Sequence, residues 1–369
     1  MALKAVHVSD VPSIDQVQEN AALALSVTSF FKDVKGDDGN EVKCRHKFQK
    51  FVVMGHRGCG MNMMQSSDPR MKATRENSIM SFNAAAKFPI DFIEFDVQVA
   101  RDGCPIIFHD NFILAEDKGA IVERRVTDLT VAEFLSYGPQ KEEGNVGKPL
   151  FRKTKDGRIF EWKVENDHPL CTLQDAFEKV EHSVGFNIEL KLDDHMVVNE
   201  YAKDRPIRFS SFQPDAALLI RKLQTIYPVF FLTNGGSEIY VDIRRNSLDE
   251  AIKMCLTGGL QGIVSEITAI LRNPEAVTRI KESKLSLVTY GELNNLPRVV
   301  YMQHLTGIDG VIVDLVQEIT EAISYYCEEA DEENGLFGEE GQMQVKTKPG
   351  FLQQQLSSLL KLTPELIHT

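Results

Sequence analysis

Two charged pairs, each with its members two positions apart, carry the clearest chemical signal in this chain. In Asp91-Phe92-Ile93-Glu94-Phe95-Asp96-Val97-Gln98 the spacing puts Glu94 and Asp96 on one face of an otherwise apolar strand. Two such carboxylates repel each other and are costly to bury unless a cation holds them. Glu189 and Lys191, in Gly185–Lys191, repeat the spacing on another strand. Three carboxylates converging from two strands make an oxygen-rich set suited to a hard divalent cation, Mg²⁺ or Ca²⁺, and poorly suited to zinc. Arg57 and Lys191 would bracket an anion beside that cation. His56 and His109, with ordinary pKa values of about 6.5, could supply an acid and a base on opposite sides of a phosphodiester. The plainer reading is a salt-bridge network of Glu94 and Asp96 with Lys191 and Arg57, beside hydrogen-bonded histidines. It requires six such groups to gather at one place without a chemical reason, so metal-assisted phosphoester chemistry leads.

The elements that must position these residues are legible in the apolar pattern. Phe51-Val52-Val53-Met54 reads as a buried strand that ends in Gly55-His56-Arg57-Gly58, where glycines let backbone and ligand approach closely. The strand 91–97 follows a helix opened by Glu76-Asn77-Ser78, and Asp102-Gly103 turns the chain back through Pro105–Phe108 to His109-Asp110. Further strands are expected at 185–191, 207–212, 229–233, 263–266, 285–290 and 311–314, with helix starts at Thr172-x-x-Asp175, Pro214, Ser247-x-x-Glu250 and Asn273-Pro274 between them. With the hairpin arm treated as an extension, eight near-continuous apolar strands alternate with helices, which predicts a parallel sheet closed into a TIM (β/α)8 barrel. The working face of such a barrel is the C-terminal end of its strands, where His56, Arg57, Glu94, Asp96, Glu189 and Lys191 all fall.

Outside the barrel, 49–327, the chain divides by composition. Residues 1–48 read as a polar N-terminal extension, about 98–168 as a small lobe inserted after the second strand, 328–350 as an acidic linker and 351–369 as a terminal amphipathic helix docked on the barrel. The lobe's cations Lys148, Arg152, Lys153, Lys155, Arg158 and Lys163 are read as a solvated face.

A net charge of −13 argues against nucleic acid or an anionic membrane as the main partner, leaving a small-molecule substrate. Six scattered cysteines without a CxxC pair suit reduced thiols. No apolar run approaches the roughly 20 residues of a bilayer span, and the N-terminal stretch lacks a signal-peptide pattern, so the cytosol is the expected location with a plastid as the alternative.

The motifs resemble those of the glycerophosphodiester phosphodiesterases, most of all the soluble plant and other eukaryotic members: His56-Arg57-Gly58, Glu76-Asn77, Glu94-Phe95-Asp96-Val97, Asp102-Gly103-x-Pro105 with His109-Asp110, and Glu189-Leu190-Lys191. Ser210-Ser211-Phe212, Pro214-Asp215 and Gly310-Val311-Ile312-Val313-Asp314 extend the match over roughly 50–325. The resemblance implies metal-dependent cleavage of glycerophosphodiesters such as glycerophosphocholine to sn-glycerol 3-phosphate and an alcohol. It implies His56 and His109 as the acid–base pair, Glu94, Asp96 and Glu189 as metal ligands for Mg²⁺ or Ca²⁺, and Arg57 and Lys191 as phosphate contacts. Attack by the glycerol 2-hydroxyl on phosphorus, through a cyclic phosphate, is the mechanism so implied.

Two departures stand out. Only 193–206 joins the third strand to the fourth, where a full helix with flanking loops is expected, and Tyr290 stands where many relatives carry Trp. So short a crossover would be expected to uncover apolar strand faces and displace Glu189. It keeps open an impaired barrel acting as a binding protein; a lysophospholipase D-type activity is a separate alternative, disfavoured by the polar composition.

Overall fold

The computed structural model describes residues 50–335 apart from 143, 155 and 192–204, and of 326–335 it describes the backbone. Thirteen strands are found among these residues. In chain order β1 is Val52–His56, β2 Phe92–Val99, β3 Pro105–Ile107, β4 Phe112–Asp117, β5 Ala120–Arg125, β6 Phe151–Lys153 and β7 Ile159–Glu161. They continue as β8 Gly185–Leu190, β9 Ile207–Ser211, β10 Val229–Thr233, β11 Gly262–Glu266, β12 Ser286–Tyr290 and β13 Gly310–Val313. The helices are α1 Ile79–Ala85, α2 Val131–Leu135, α3 Leu173–Lys179, α4 Pro214–Leu223, α5 Leu248–Gly258, α6 Ile267–Arg272, α7 Glu275–Glu282, α8 Pro297–Leu305 and α9 Val316–Gly335.

Eight strands pair in parallel in the order β1, β13, β12, β11, β10, β9, β8, β2, and β1 pairs again with β2, so the sheet closes into the expected TIM barrel. The hairpin arm β3 lies antiparallel on β2, with Val97 opposite Ile107. The helix starts read from sequence carry their caps: Thr172 and Asp175 form a reciprocal capping box and Ser247 accepts from the Glu250 amide.

Alternation along each strand sorts the barrel into layers. One side of β2 and β8, Ile93, Phe95, Val97, Phe186 and Ile188, is buried against α1 and α3. There Phe95 lies 5.1 Å from Phe82 and 5.0 Å from Phe186 between ring centroids, with Phe177 5.3 Å beyond Phe186. Phe95→Ala should therefore cost about 3–5 kcal/mol of unfolding free energy in urea melts, because this rigid aromatic row cannot collapse into the cavity. The other side of the strands fills the barrel with Met54, Phe230, Leu232, Val264, Val288 and Ile312. One alternation step later each strand presents His56, Asn234, Glu266, Tyr290 or Asp314. The apolar layer thus floors a polar mouth, which is how barrels of this kind build a site.

Three sequence expectations change here. The inserted lobe, which shows no period in sequence, is a four-stranded antiparallel sheet ordered β5, β4, β6, β7, with its own buried cluster around Ile113, Phe134 and Trp162. Its strands are three to six residues long, too short for alternation to register. The acidic run Glu328–Glu333, read as linker, lies in α9, whose helix runs through Val316–Gly335. The short crossover does not part its strands: β8 pairs directly with β9, Glu189 opposite Ser210, and Phe186, Ile188, Ile207 and Phe209 are buried. The Arg205 guanidinium lies 4.1 Å from the Phe186 ring centroid and donates to the carbonyls of Val180, Glu181 and Val184, tying the return of the crossover to the end of α3. Most of 193–206, with the extension 1–48 and the terminal segment 351–369, lies outside the described residues. No helix among the described residues is long and apolar enough to cross a membrane.

Candidate active site

The tetrapeptide after β1 is shaped by its glycines. A Cβ at Gly55 would fall 2.3 Å from the Gly58 carbonyl oxygen, and at Gly58, with φ +94°, 2.8 Å from the Ser81 backbone. Arg57 itself adopts φ +49°, a left-handed conformation that a long side chain rarely takes. It is held there because its N–H donates to Glu94 Oε2 at 3.2 Å and its carbonyl accepts from the Asn77 N–H at 3.0 Å.

His56 leaves the end of β1 with Nδ1 2.6 Å from Asp314 Oδ1 and Nε2 3.9 Å from Glu94 Oε2. A carboxylate can only accept, so Nδ1 carries the proton and Nε2 faces the acidic cluster. Asp314 is itself fixed by the Met61 N–H at 3.0 Å and the Asn295 amide at 2.9 Å. Burial disfavours the imidazolium of His56, but the charge and hydrogen bond of Asp314 outweigh it, and its pKa is raised.

His109 has the same support from a different element. Its Nδ1 lies 2.7 Å from Asp110 Oδ1, while Gln98, one alternation step beyond Asp96 on β2, donates to the carbonyls of Phe108 at 2.8 Å and Asp110 at 2.9 Å. Burial lowers the pKa of His109, and the cations Arg57 and Lys191 lower it further against the pull of Asp96 and Asp110. The two imidazoles are thus driven in opposite directions, the pattern that separates an acid from a base.

Glu94, Asp96 and Glu189 come together as the spacing predicted: one oxygen from each lies within 4.8 Å of the others, and all three are buried. Lys191 Nζ lies 3.1 Å from Asp96 Oδ1 and 2.5 Å from Glu189 Oε1, and Asn77 donates to Asp96 Oδ2 at 2.9 Å. Glu94 is the least compensated of the three. Burial, then the neighbouring charge of Asp96, raises its pKa. An all-oxygen set with one destabilised carboxylate fits a hard divalent cation.

Arg57 NH1 donates to Glu76 Oε1 at 2.8 Å, whereas its buried Nε lies 3.4 Å from Asp96 Oδ2 without a hydrogen-bond partner among the described residues. That leaves a donor for an anion. At the far side of the mouth, the Tyr290 hydroxyl donates to Asn234 Oδ1 at 2.5 Å and its ring meets Phe212 edge-on at 5.9 Å.

Arg152 was read from sequence as part of a solvated face, and the structure corrects this. From β6 its guanidinium contacts Glu76 at 2.7 and 2.9 Å and Asp110 Oδ2 at 3.2 Å, and its Cζ lies 4.1 Å from the Trp162 ring centroid. Asp314, Asp110 and Glu76 likewise had no assigned role. Asp314 ends the last strand and Asp110 adjoins a motif histidine, so sequence held a positional signal for both. For Arg152 it held none.

Fold and site together define an α/β-barrel protein with an acidic cluster, two aspartate-supported histidines and two cations at the C-terminal mouth. The model of the glycerophosphoryl diester phosphodiesterase family matches residues 56–203 and 193–318. The two segments overlap at 193–203, within the crossover between the third and fourth barrel strands. A glycerophosphodiester phosphodiesterase of Arabidopsis thaliana, GDPD1, chloroplastic, is 56% identical over 384 residues spanning 100% of this chain and 99% of that protein. GDPD3 of the same plant is 58% identical over 345 residues, 87% of this chain and 92% of that one. A glycerophosphodiester phosphodiesterase structure from Parabacteroides distasonis superposes with a TM-score of 0.52 at 18% identity, over 75% of this chain and 99% of that chain, which supports the fold. The chain belongs to the glycerophosphoryl diester phosphodiesterase family.

Proposed function

We propose that this protein is a divalent-cation-dependent hydrolase of glycerophosphodiesters such as glycerophosphocholine, releasing sn-glycerol 3-phosphate and an alcohol. The observation that carries the reading is the opposed pair His56–Asp314 and His109–Asp110 around one acidic cluster. His109, kept neutral with its Nε2 lone pair free, takes the proton from the glycerol 2-hydroxyl as that oxygen attacks phosphorus. His56, whose protonated form is favoured by Asp314, gives a proton to the departing alcohol. A cyclic phosphate results, and water opens it with the two histidines exchanging roles. Arg57 and Lys191 bind the phosphoryl oxygens and offset their charge. Glu94, Asp96 and Glu189 would hold Mg²⁺ or Ca²⁺, which when bound supplies Lewis-acid stabilisation of the phosphoryl group.

The relatives' names support the substrate class, and the plastid alternative to the cytosol is supported by a relative named chloroplastic that aligns over the whole chain. Release of glycerol 3-phosphate from glycerophosphocholine, followed by a coupled dehydrogenase with Mg²⁺ or Ca²⁺ and again after chelation, tests the proposal. Turnover is expected with metal and should fall to background with chelator. Chelator-insensitive turnover refutes the metal role, and a cooperatively folding protein without turnover refutes the substrate reading.

A further inference from the structure

We propose that Arg152, carried by the inserted lobe, is a positioning residue for His109, so that the lobe belongs to the acid–base apparatus of the barrel; the inference rests on the phosphodiesterase reading above. Asp110 sets the tautomer and aim of His109 but is itself about one-third exposed, and an exposed carboxylate is free to rotate. Its second oxygen is held by Arg152 Nε at 3.2 Å. Arg152 is in turn immobilised: its two terminal nitrogens grip Glu76, whose side chain is fully buried, and NH1 also donates to the Asn62 carbonyl at 3.0 Å.

The lobe's own architecture fixes the guanidinium in place. Trp162 lies between two cations, Arg152 at 4.1 Å and Arg75 at 4.7 Å from its ring centroid, and its Nε1–H donates to Asn62 Oδ1 at 3.0 Å. Arg75 is buried, pairs with Asp167 and donates to the Trp162 carbonyl at 2.9 Å. Arg152 therefore reaches from β6 to Glu76 and to Asp110 at once through separate nitrogens, the terminal pair on Glu76 and Nε on Asp110, a spread that the single nitrogen of a lysine at this position does not reproduce. Glu76 is common to Arg152 and Arg57, so one buried carboxylate ties the lobe to the anion-binding cation as well.

Arg152→Lys tests this, because the charge beside Glu76 remains while the reach to Asp110 is lost. The variant is expected to lower kcat about 10–100-fold with KM within about threefold, as outer-shell partners of a functional histidine do. Asp110→Asn should fall comparably, and the double variant no further than Asp110→Asn alone, since the two act through one histidine. The ring nitrogens of ¹⁵N-labelled histidine, with the His109 signals identified by their loss in His109→Ala, should show a single Nδ1–H tautomer in the wild type and a mixture in Arg152→Lys. Thermal melts of Arg152→Lys should match the wild type within a few degrees and show that the lobe remains folded in place. Wild-type kcat in Arg152→Lys, multiplicative losses in the double variant, or an unchanged His109 tautomer would overturn the proposal. The tautomer measurement decides it even if glycerophosphocholine is not turned over, an outcome that refutes the substrate reading instead.

Discussion

Asp314→Asn is expected to lower kcat on glycerophosphocholine by about 10²–10⁴-fold with little change in the unfolding transition. The carboxylate does three things at once: it accepts from His56 Nδ1–H at 2.6 Å, from the Met61 N–H at 3.0 Å and from the Asn295 amide at 2.9 Å. Oδ1 serves His56 and Met61 and Oδ2 serves Asn295, so an asparagine with its oxygen at the Oδ1 position keeps the His56 contact but sets an N–H₂ against the Asn295 amide, whereas the reverse orientation turns that N–H₂ towards His56 and the Met61 N–H. Either orientation leaves two donors facing each other and removes the charge that raises the pKa of His56. His56→Ala should fall on the same scale, and combining the two should cost no more than His56→Ala alone, because both disable one proton donor. Steady-state kinetics beside thermal melts checks this. An Asp314→Asn enzyme within threefold of wild type would show that the contact is only structural.

Removing the cation should be equally severe for turnover, and its signature is a pH-dependent stability. Glu94 has a pKa raised above the carboxylate value of 4.5, by burial first and by Asp96 next. A group whose folded pKa is raised contributes stability below its unfolded pKa and loses it as pH rises through the folded one. The metal-free protein should therefore lose stability as pH climbs from about 4.5 upward, where Glu94 must give up its proton inside an acidic cluster. A divalent cation relieves that repulsion, so the difference in Tm between metal and chelator should widen with pH. Over the same range Mg²⁺ or Ca²⁺ affinity should improve by up to about tenfold per pH unit, one proton being released per ion bound. Glu94→Gln should abolish the pH dependence and most of the affinity together. Calorimetry in buffers of different ionisation enthalpy counts the proton, and a pH-independent Tm difference would exclude Glu94 as a ligand.

The histidines, cations and carboxylates of the site were legible because each sits at a strand end or two residues from a charged partner, and period-two alternation converts spacing into shared direction. Asp110 and Asp314 were visible as motif members, but a hydrogen bond to a histidine has no linear signature when it joins residues 56 and 314. Arg152 was misread for a related reason. It stands in a run of lysines and arginines, and only the folding of β6 against Trp162 separates the one buried guanidinium from neighbours such as Lys153 and Lys163, which stay exposed.

By itself, then, the sequence determined the barrel, its strand order of alternating elements and the residues delivered to its C-terminal mouth, because local apolar pattern and alternation depend on neighbours a few positions away. Only the tertiary structure decided how the mouth is wired. It paired each histidine with its aspartate, set their pKa values in opposite directions, and brought a lobe with no readable period to bear on His109. It also paired β8 with β9 and buried their apolar faces beside a crossover expected to leave them uncovered, since strand pairing and burial are settled by what each chain segment meets in space.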